Sequence, residues 1–90
     1  MLVLPEAITQ ANTVACLAAL SKELAQEGAA DVVVDAARLT RFDSAALALL
    51  LELRRQALKM GKTFALRDVS QRLQDLADLY GITELLPSKA

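Results

Sequence analysis

Apolar residues occur along this 90-residue chain in two patterns: short continuous runs and longer stretches with helical spacing. The runs at residues 2–4 and 63–66 and the β-branched run Asp31–Asp35 predict three strands. Because Pro5 closes the first run and has no N–H to donate, that strand is expected at an edge of the sheet. The run Asp31–Asp35 does not alternate, which is typical of a central strand covered on both faces.

Two longer stretches have the spacing of amphipathic helices. Residues 10–27 form the first, and Gly28 is expected to end it in a left-handed conformation. Three residues could cap it, and the sequence leaves the choice open: Thr9, Asn12 and Thr13. The second stretch covers residues 44–60 and ends before Gly61. The apolar positions expected to face the core are Val14, Leu17, Leu20 and Leu24 in the first stretch, and Leu47, Leu50, Leu51 and Leu58 in the second.

A third, shorter amphipathic stretch follows the strand at residues 63–66. Asp68 or Ser70 is expected to cap it, Gly81 to end it, and Ile82 to begin a short last strand. Its apolar positions are Val69, Leu73, Leu76 and Leu79. The alternation of strands and helices predicts an α/β fold in which helices pack on a small, mostly parallel sheet. A chain of 90 residues is expected to form one domain, residues 1–90.

Candidate chemistry is concentrated where the loop after the central strand turns into the second helix, at residues 41–47. Asp43 and Ser44 are both good N-cap residues, since a short side-chain oxygen can accept a hydrogen bond from the first turn of a helix. If Asp43 caps, Ser44 lies in the first turn; if Ser44 caps, Asp43 lies just outside the helix. In an α/β fold this loop lies at the carboxyl end of the sheet, where sites are usually found.

Composition narrows the possible functions. The chain has no histidine, which excludes catalytic dyads and triads and metal sites that need imidazole. Cys16 is the only cysteine and is expected to be a small apolar helix residue. The net charge of −1 gives no long-range attraction for nucleic acid. No apolar run reaches the roughly 18 residues of a membrane span, so we expect a cytoplasmic protein with no direct membrane insertion. With only three aromatic residues in the chain, a site that stacks a cofactor is not expected, and we predict no cofactor.

The strand Asp31–Asp35, the motif at residues 42–50, the turn Gly61-Lys62 and the next strand together resemble a STAS domain, the fold of anti-sigma factor antagonists. Members carry Asp-Ser or Asp-Thr, then small residues and Leu, at this helix start. Residues 76–82 and 85–87 are more similar to the MlaB-type branch, the STAS subunit of the Mla phospholipid ABC transporter. One family feature is missing: members begin with a strand before the one assigned here to residues 2–4. Either the sheet has one bare edge, or the true start of the chain lies upstream.

The resemblance implies binding through the loop that carries Ser44. In the antagonist branch a partner kinase phosphorylates this hydroxyl and so switches binding off. In the transporter branch the same loop docks on the ATPase subunit, which would hold the protein at the inner face of the membrane. Eight neighbours are expected to support the loop and its interface: Asp35, Arg38, Thr40, Arg41, Asp43, Ala45, Ala46 and Leu47.

Three hypotheses follow for function. The first is the accessory subunit of a phospholipid-transporting ABC complex, bound to its ATPase through the Ser44 loop. The second is an anti-sigma factor antagonist, with an anti-sigma factor kinase as its partner. The third, an esterase using Ser44, is weak because only carboxylates are available to activate the hydroxyl. A second copy of the chain is also a candidate partner, because the missing first strand leaves a sheet edge exposed.

Overall fold

Short strands and helices alternate along residues 1–87, the part of the chain that this computed structural model describes. The expected α/β architecture is confirmed. In chain order the elements are β1 Leu2–Val3, β2 Ala7–Ile8, α1 Thr13–Ala25, β3 Asp31–Asp35, β4 Arg41–Phe42, α2 Ser44–Lys59, β5 Thr63–Arg67 and α3 Gln71–Leu79, followed by a 3-10 turn at Thr83–Leu85.

The main sheet is parallel and has the order β1-β3-β5, so Asp31–Asp35 is the central strand as predicted. Leu2 lies opposite Val34, and Val34 opposite Leu66, which puts these three buried side chains on one face of the sheet. The other face is only partly covered, because Val33 is half-buried and Val3 is 43% exposed. The expectation that both faces of β3 are covered was therefore wrong for one face.

The first strand lies at an edge of this sheet, as Pro5 predicted. The amide of Leu4 still donates to the carbonyl of Asp35 at 2.9 Å, and the chain then leaves the sheet at Pro5. Within residues 1–87 no strand pairs with the outer side of β1. A second, two-stranded parallel sheet joins β2 to β4, and the sequence pattern did not predict either of these strands.

Helix α2 supplies the centre of the hydrophobic core. Its buried residues recur every three or four positions, as expected for a helix with one face on a core; they are Ala46, Leu47, Leu49, Leu50, Leu53 and Ala57. Leu47 and Leu50 were predicted correctly, and Leu51 is half-buried. Leu58 was predicted wrongly, since it is 47% exposed. The helix ends before Gly61 as predicted, and Gly61 has φ +76°, in the left-handed region.

Helix α1 is shorter than predicted. Asn12 occupies the N-cap position, but its side chain binds the preceding loop instead, accepting from the amide of Thr9 and donating to the carbonyl of Ala7. The helix ends at Ala25, and Gly28 does not adopt the left-handed conformation predicted for it. Leu20 and Leu24 are buried as predicted, whereas Val14 is 81% exposed, so its assignment to the core was wrong.

Helix α3 is capped by Ser70, whose hydroxyl oxygen accepts from the amide of Leu73 at 3.2 Å. Leu73 and Ala77 are its buried residues. Leu79, one of the apolar positions of the predicted third helix, is 80% exposed. The strand predicted at Ile82 is absent, because that residue leads into the 3-10 turn.

Across residues 1–87, none of the helices combines the length and the apolar character that crossing a bilayer requires.

Candidate functional site

The junction of β4 with α2 is organised by the carboxylate of Asp43. Its Oδ1 accepts from the amide of Ala45 at 2.9 Å, which makes Asp43 the N-cap of α2. Its Oδ2 accepts from the amide of Gln10 at 3.2 Å, in the loop before α1. Of the two capping arrangements left open by the sequence, Asp43 is therefore the cap. Ser44 is the first helical residue, and its side chain is exposed.

The loop that leads into Asp43 is held by the preceding part of the chain. The carbonyl of Glu6 accepts from the amides of Thr40 at 2.9 Å and Arg41 at 3.1 Å. Immediately afterwards β2 and β4 pair, with Ala7 opposite Arg41. Backbone hydrogen bonds from a segment more than 30 residues away in sequence thus fix the position of the Ser44 loop.

Helix α3 contacts the same loop through Arg72. The guanidinium lies 5.0 Å from the centroid of the Phe42 ring, and its Nη1 donates to the carbonyl of Thr40 at 3.2 Å. Such a cation–π contact stabilises by roughly 0.5–1 kcal/mol at an exposed site. Arg72 therefore couples the position of α3 to that of the loop.

Between the start of α2 and one side of α3 lies an open groove of about 490 Å³. Ser44 stands on one wall, and residues of α3 form the other. The lining residues are Phe42, Asp43, Ser44, Arg72, Asp75, Leu76, Leu79 and Tyr80. Leu79 and Tyr80 are 80% and 56% exposed, so the groove presents apolar surface to solvent next to the serine hydroxyl.

None of the α3 residues that line the groove was predicted from the sequence to belong to the site. A signal was present, because Arg72, Leu76 and Leu79 recur at helical spacing on a side of α3 other than that of the buried Leu73 and Ala77. Periodicity alone did not reveal that this side adjoins Ser44, since the two segments are about 30 residues apart in sequence.

The predicted supporting residues fall into distinct places. Thr40 and Arg41 are exposed in the loop, as expected for surface residues. Ala46 and Leu47 are buried in the core, and Ala45 is half-buried, so these three support the loop from below. Their contribution to an interface would be indirect.

Of the predicted site residues only Asp43 and Ser44 line the groove, and two of the others, Asp35 and Arg38, make contacts elsewhere. The Oδ1 of Asp35 accepts from the amide of Ala37 at 2.9 Å, which closes a local turn at the end of β3. Arg38 lines a different depression, beside Leu4 and the half-buried Cys16. Neither residue lines the groove that contains Ser44.

The hydrogen bonds of Asp43 limit its ability to activate the Ser44 hydroxyl. Both carboxylate oxygens of Asp43 are occupied by backbone N–H groups, so this acid is poorly placed to act as a base toward the neighbouring hydroxyl. Within residues 1–87 there is no cluster of three or more acidic or sulfur side chains that could hold a metal ion. The groove offers the hydroxyls of Ser44 and Tyr80, one exposed acid, one guanidinium and apolar surface.

A family model described as "Mlab, STAS domain" matches residues 1–87. A comparison with curated proteins gave no match. Among solved structures, a candidate anti-sigma factor antagonist from Thermotoga maritima superposes with a TM-score of 0.79 at 14% identity, covering 96% of this chain and 75% of that one. The unphosphorylated form of the anti-sigma factor antagonist SpoIIAA gives a TM-score of 0.74 at 16% identity, with 98% of this chain and 76% of that one covered.

The phosphorylated form of SpoIIAA, described as a Bacillus cell fate determinant, gives a TM-score of 0.67 at 16% identity, covering 98% of this chain and 79% of that one. At such identities the likeness concerns the fold.

Proposed function

Because the chain belongs to the STAS domain family, we propose that it is a non-enzymatic accessory subunit that binds the ATPase of a phospholipid-transporting ABC complex. The observation that carries the proposal is the exposed Ser44 at the start of α2, beside an apolar groove. The MlaB description of the matching family supports the choice of an ATPase as partner. Bound to that ATPase, the protein would lie at the cytoplasmic face of the membrane.

The geometry favours binding without catalysis. The hydroxyl of Ser44 is accessible, and the backbone beneath it is fixed by Asp43 and by the pairing of β2 with β4. A fixed surface loses little conformational freedom when a partner docks, which favours affinity. Once the contact excludes water, losing one hydrogen bond costs about 0.5–1.5 kcal/mol, and an unpaired buried charge costs several.

Substitutions at Ser44 test the proposal. Ser44→Ala should weaken copurification with the transporter ATPase modestly, because it removes only one hydrogen bond. Ser44→Asp and Ser44→Arg should abolish it, because each would bury a charge in the contact. All three variants should fold, since the side chain is exposed and Asp is favoured in the first turn of a helix.

Circular dichroism melts serve as the folding control for each variant. Ala18→Arg is the matched control for Ser44→Arg, because Ala18 is exposed on α1 and does not line the groove. This variant should copurify with the ATPase as well as the unmodified protein does. Retained binding by both Ser44→Asp and Ser44→Arg would contradict the docking role.

A second candidate function is an anti-sigma factor antagonist switched by phosphorylation of Ser44. It is favoured by the similarity to SpoIIAA, whose structure is known in both unphosphorylated and phosphorylated forms. A phosphate on the exposed hydroxyl would lie beside the carboxylate of Asp43, where repulsion opposes a close interface. If no ATPase is recovered, and a cellular kinase phosphorylates Ser44 and releases a bound protein, this function replaces the first.

A further inference from the structure

Helix α3 has two apolar sides, and the protein core uses only one of them. Leu73 and Ala77 face the core, with exposed fractions of 2% and 5%. Leu79 and Tyr80 lie on another side and are 80% and 56% exposed. Leu76, which is half-buried, lies between the two sides and packs partly against the core. Contiguous apolar surface of this kind is typical of a contact site for another protein.

The second side of α3 has the spacing of a helix-binding ridge. We define the free face of α3 by the residues of this helix and its C-cap that line the groove, which are Arg72, Asp75, Leu76, Leu79 and the C-cap residue Tyr80. They stand at positions i, i+3, i+4, i+7 and i+8, so they form one ridge that is roughly 12 Å long. A ridge of this length matches about two turns of a second helix packed along it.

The charges on the free face indicate which charged residue a partner helix should carry. Arg72 already donates to the carbonyl of Thr40 and covers the Phe42 ring, so its cation is engaged within the chain. Asp75 is exposed, and within residues 1–87 its carboxylate receives a side-chain hydrogen bond from Gln71 but forms no ion pair. A Lys or Arg of a partner would therefore be complementary to Asp75.

We propose that the free face of α3 is the second half of the docking surface, and that it binds an amphipathic helix of the ATPase whose apolar side is flanked by a basic residue. Leu79 and Tyr80 contact the apolar side of that helix, and Asp75 pairs with its basic residue. Ser44, on the opposite wall of the groove, contacts the same partner. The inference rests on the proposed function, because it takes the ATPase as the occupant.

Two pairs of variants test this inference in the full chain, with affinity for the phospholipid-transporter ATPase of the same organism as the readout. Leu79→Ser should weaken binding about tenfold to a hundredfold, as expected when a buried leucine contact is lost. Its matched control is Val14→Ser on α1, because Val14 is 81% exposed and Leu79 is 80% exposed. The control should bind within about twofold of the unmodified protein.

The second pair tests the charge. Asp75→Lys should weaken binding about tenfold, and the loss should be larger at low salt because screening is weaker there. Glu23→Lys reverses an exposed acid on α1, outside the groove, and should leave the affinity within about twofold at both salt concentrations. All four substituted residues are exposed, so circular dichroism melts should match those of the unmodified protein.

The outcomes separate this inference from the function on which it rests. If Leu79→Ser and Asp75→Lys bind like their controls while Ser44→Arg abolishes binding, α3 lies outside the interface. That result overturns the inference and leaves the proposed function standing. If the unmodified protein does not bind the ATPase, the proposed function fails and the inference fails with it.

Discussion

Removal of the Asp43 carboxylate should destabilise both the start of α2 and the loop before α1. In Asp43→Ala the amide of Ala45 loses its cap, which costs about 0.5–2 kcal/mol. The amide of Gln10 loses an acceptor as well, but it is exposed, so water replaces most of that bond and the added cost is about 0.5 kcal/mol. The free energy of unfolding should therefore fall by about 1–2.5 kcal/mol.

The variant Asp43→Asn distinguishes the hydrogen bond from Ala45 from the one from Gln10. The amide oxygen of Asn can still accept from Ala45, and Asn caps a helix about as well as Asp does. Its nitrogen cannot accept from Gln10, so only the second bond is lost. We expect the stability to fall by less than about 1 kcal/mol. Amide hydrogen exchange should show protection retained at Ala45 and lost at Gln10.

Urea denaturation measures these changes. With a slope of about 1 kcal/mol per M for a domain of this size, Asp43→Ala should lower the midpoint by about 1–2.5 M. Ser70→Ala, which removes the cap of α3, should give a loss of similar size but leave exchange at Gln10 unchanged. If Asp43→Ala unfolds at the wild-type midpoint with unchanged exchange at Gln10, the carboxylate does not hold the site as described.

Two further predictions concern α2. Leu50 is fully buried, so Leu50→Ala should lower the free energy of unfolding, measured by urea denaturation, by about 2–5 kcal/mol. Leu58 is exposed, so Leu58→Ala should lower it by less than about 1 kcal/mol. Equal denaturation midpoints for the two variants would contradict the packing described for α2. Hydrogen bonds from Arg55 lower the pKa of Glu52 from 4.5 to about 2. The resulting stabilisation is present above pH 4.5 and is lost as the pH falls toward 2. NMR titration of the Glu52 carboxyl group should show that Arg55→Ala raises this pKa. An ordinary pKa for Glu52 in the unmodified protein would refute the contact with Arg55.

Features that depend only on neighbouring residues could be predicted from the sequence. The strand at β3, the helical spacing of α2 and the ends of α2 and α3 before Gly61 and Gly81 were all predicted, because the backbone preferences behind them act over a few residues. The cap of α2 was narrowed to two adjacent residues for the same reason. The order of the elements then sufficed to predict a parallel α/β fold.

Tertiary structure decided which apolar positions are covered. Val14 and Leu79 have the helical spacing of core residues, yet they are the most exposed large hydrophobic side chains within residues 1–87. Spacing places a residue on a side of its helix, but the packing of the whole chain decides which side meets the core. The predictions for Leu58 and for the outer face of β3 failed for the same reason.

Tertiary structure also assembled the candidate site. The pairing of Ala7–Ile8 with Arg41–Phe42 involves only two residues per strand, too few to leave a recognisable pattern. Arg72 reaches the Ser44 loop from a helix about 30 residues further along the chain. The sequence therefore located the serine and its cap, which are local features. Only the folded chain brought the free face of α3 beside them, because contacts between distant segments depend on how all the elements pack together.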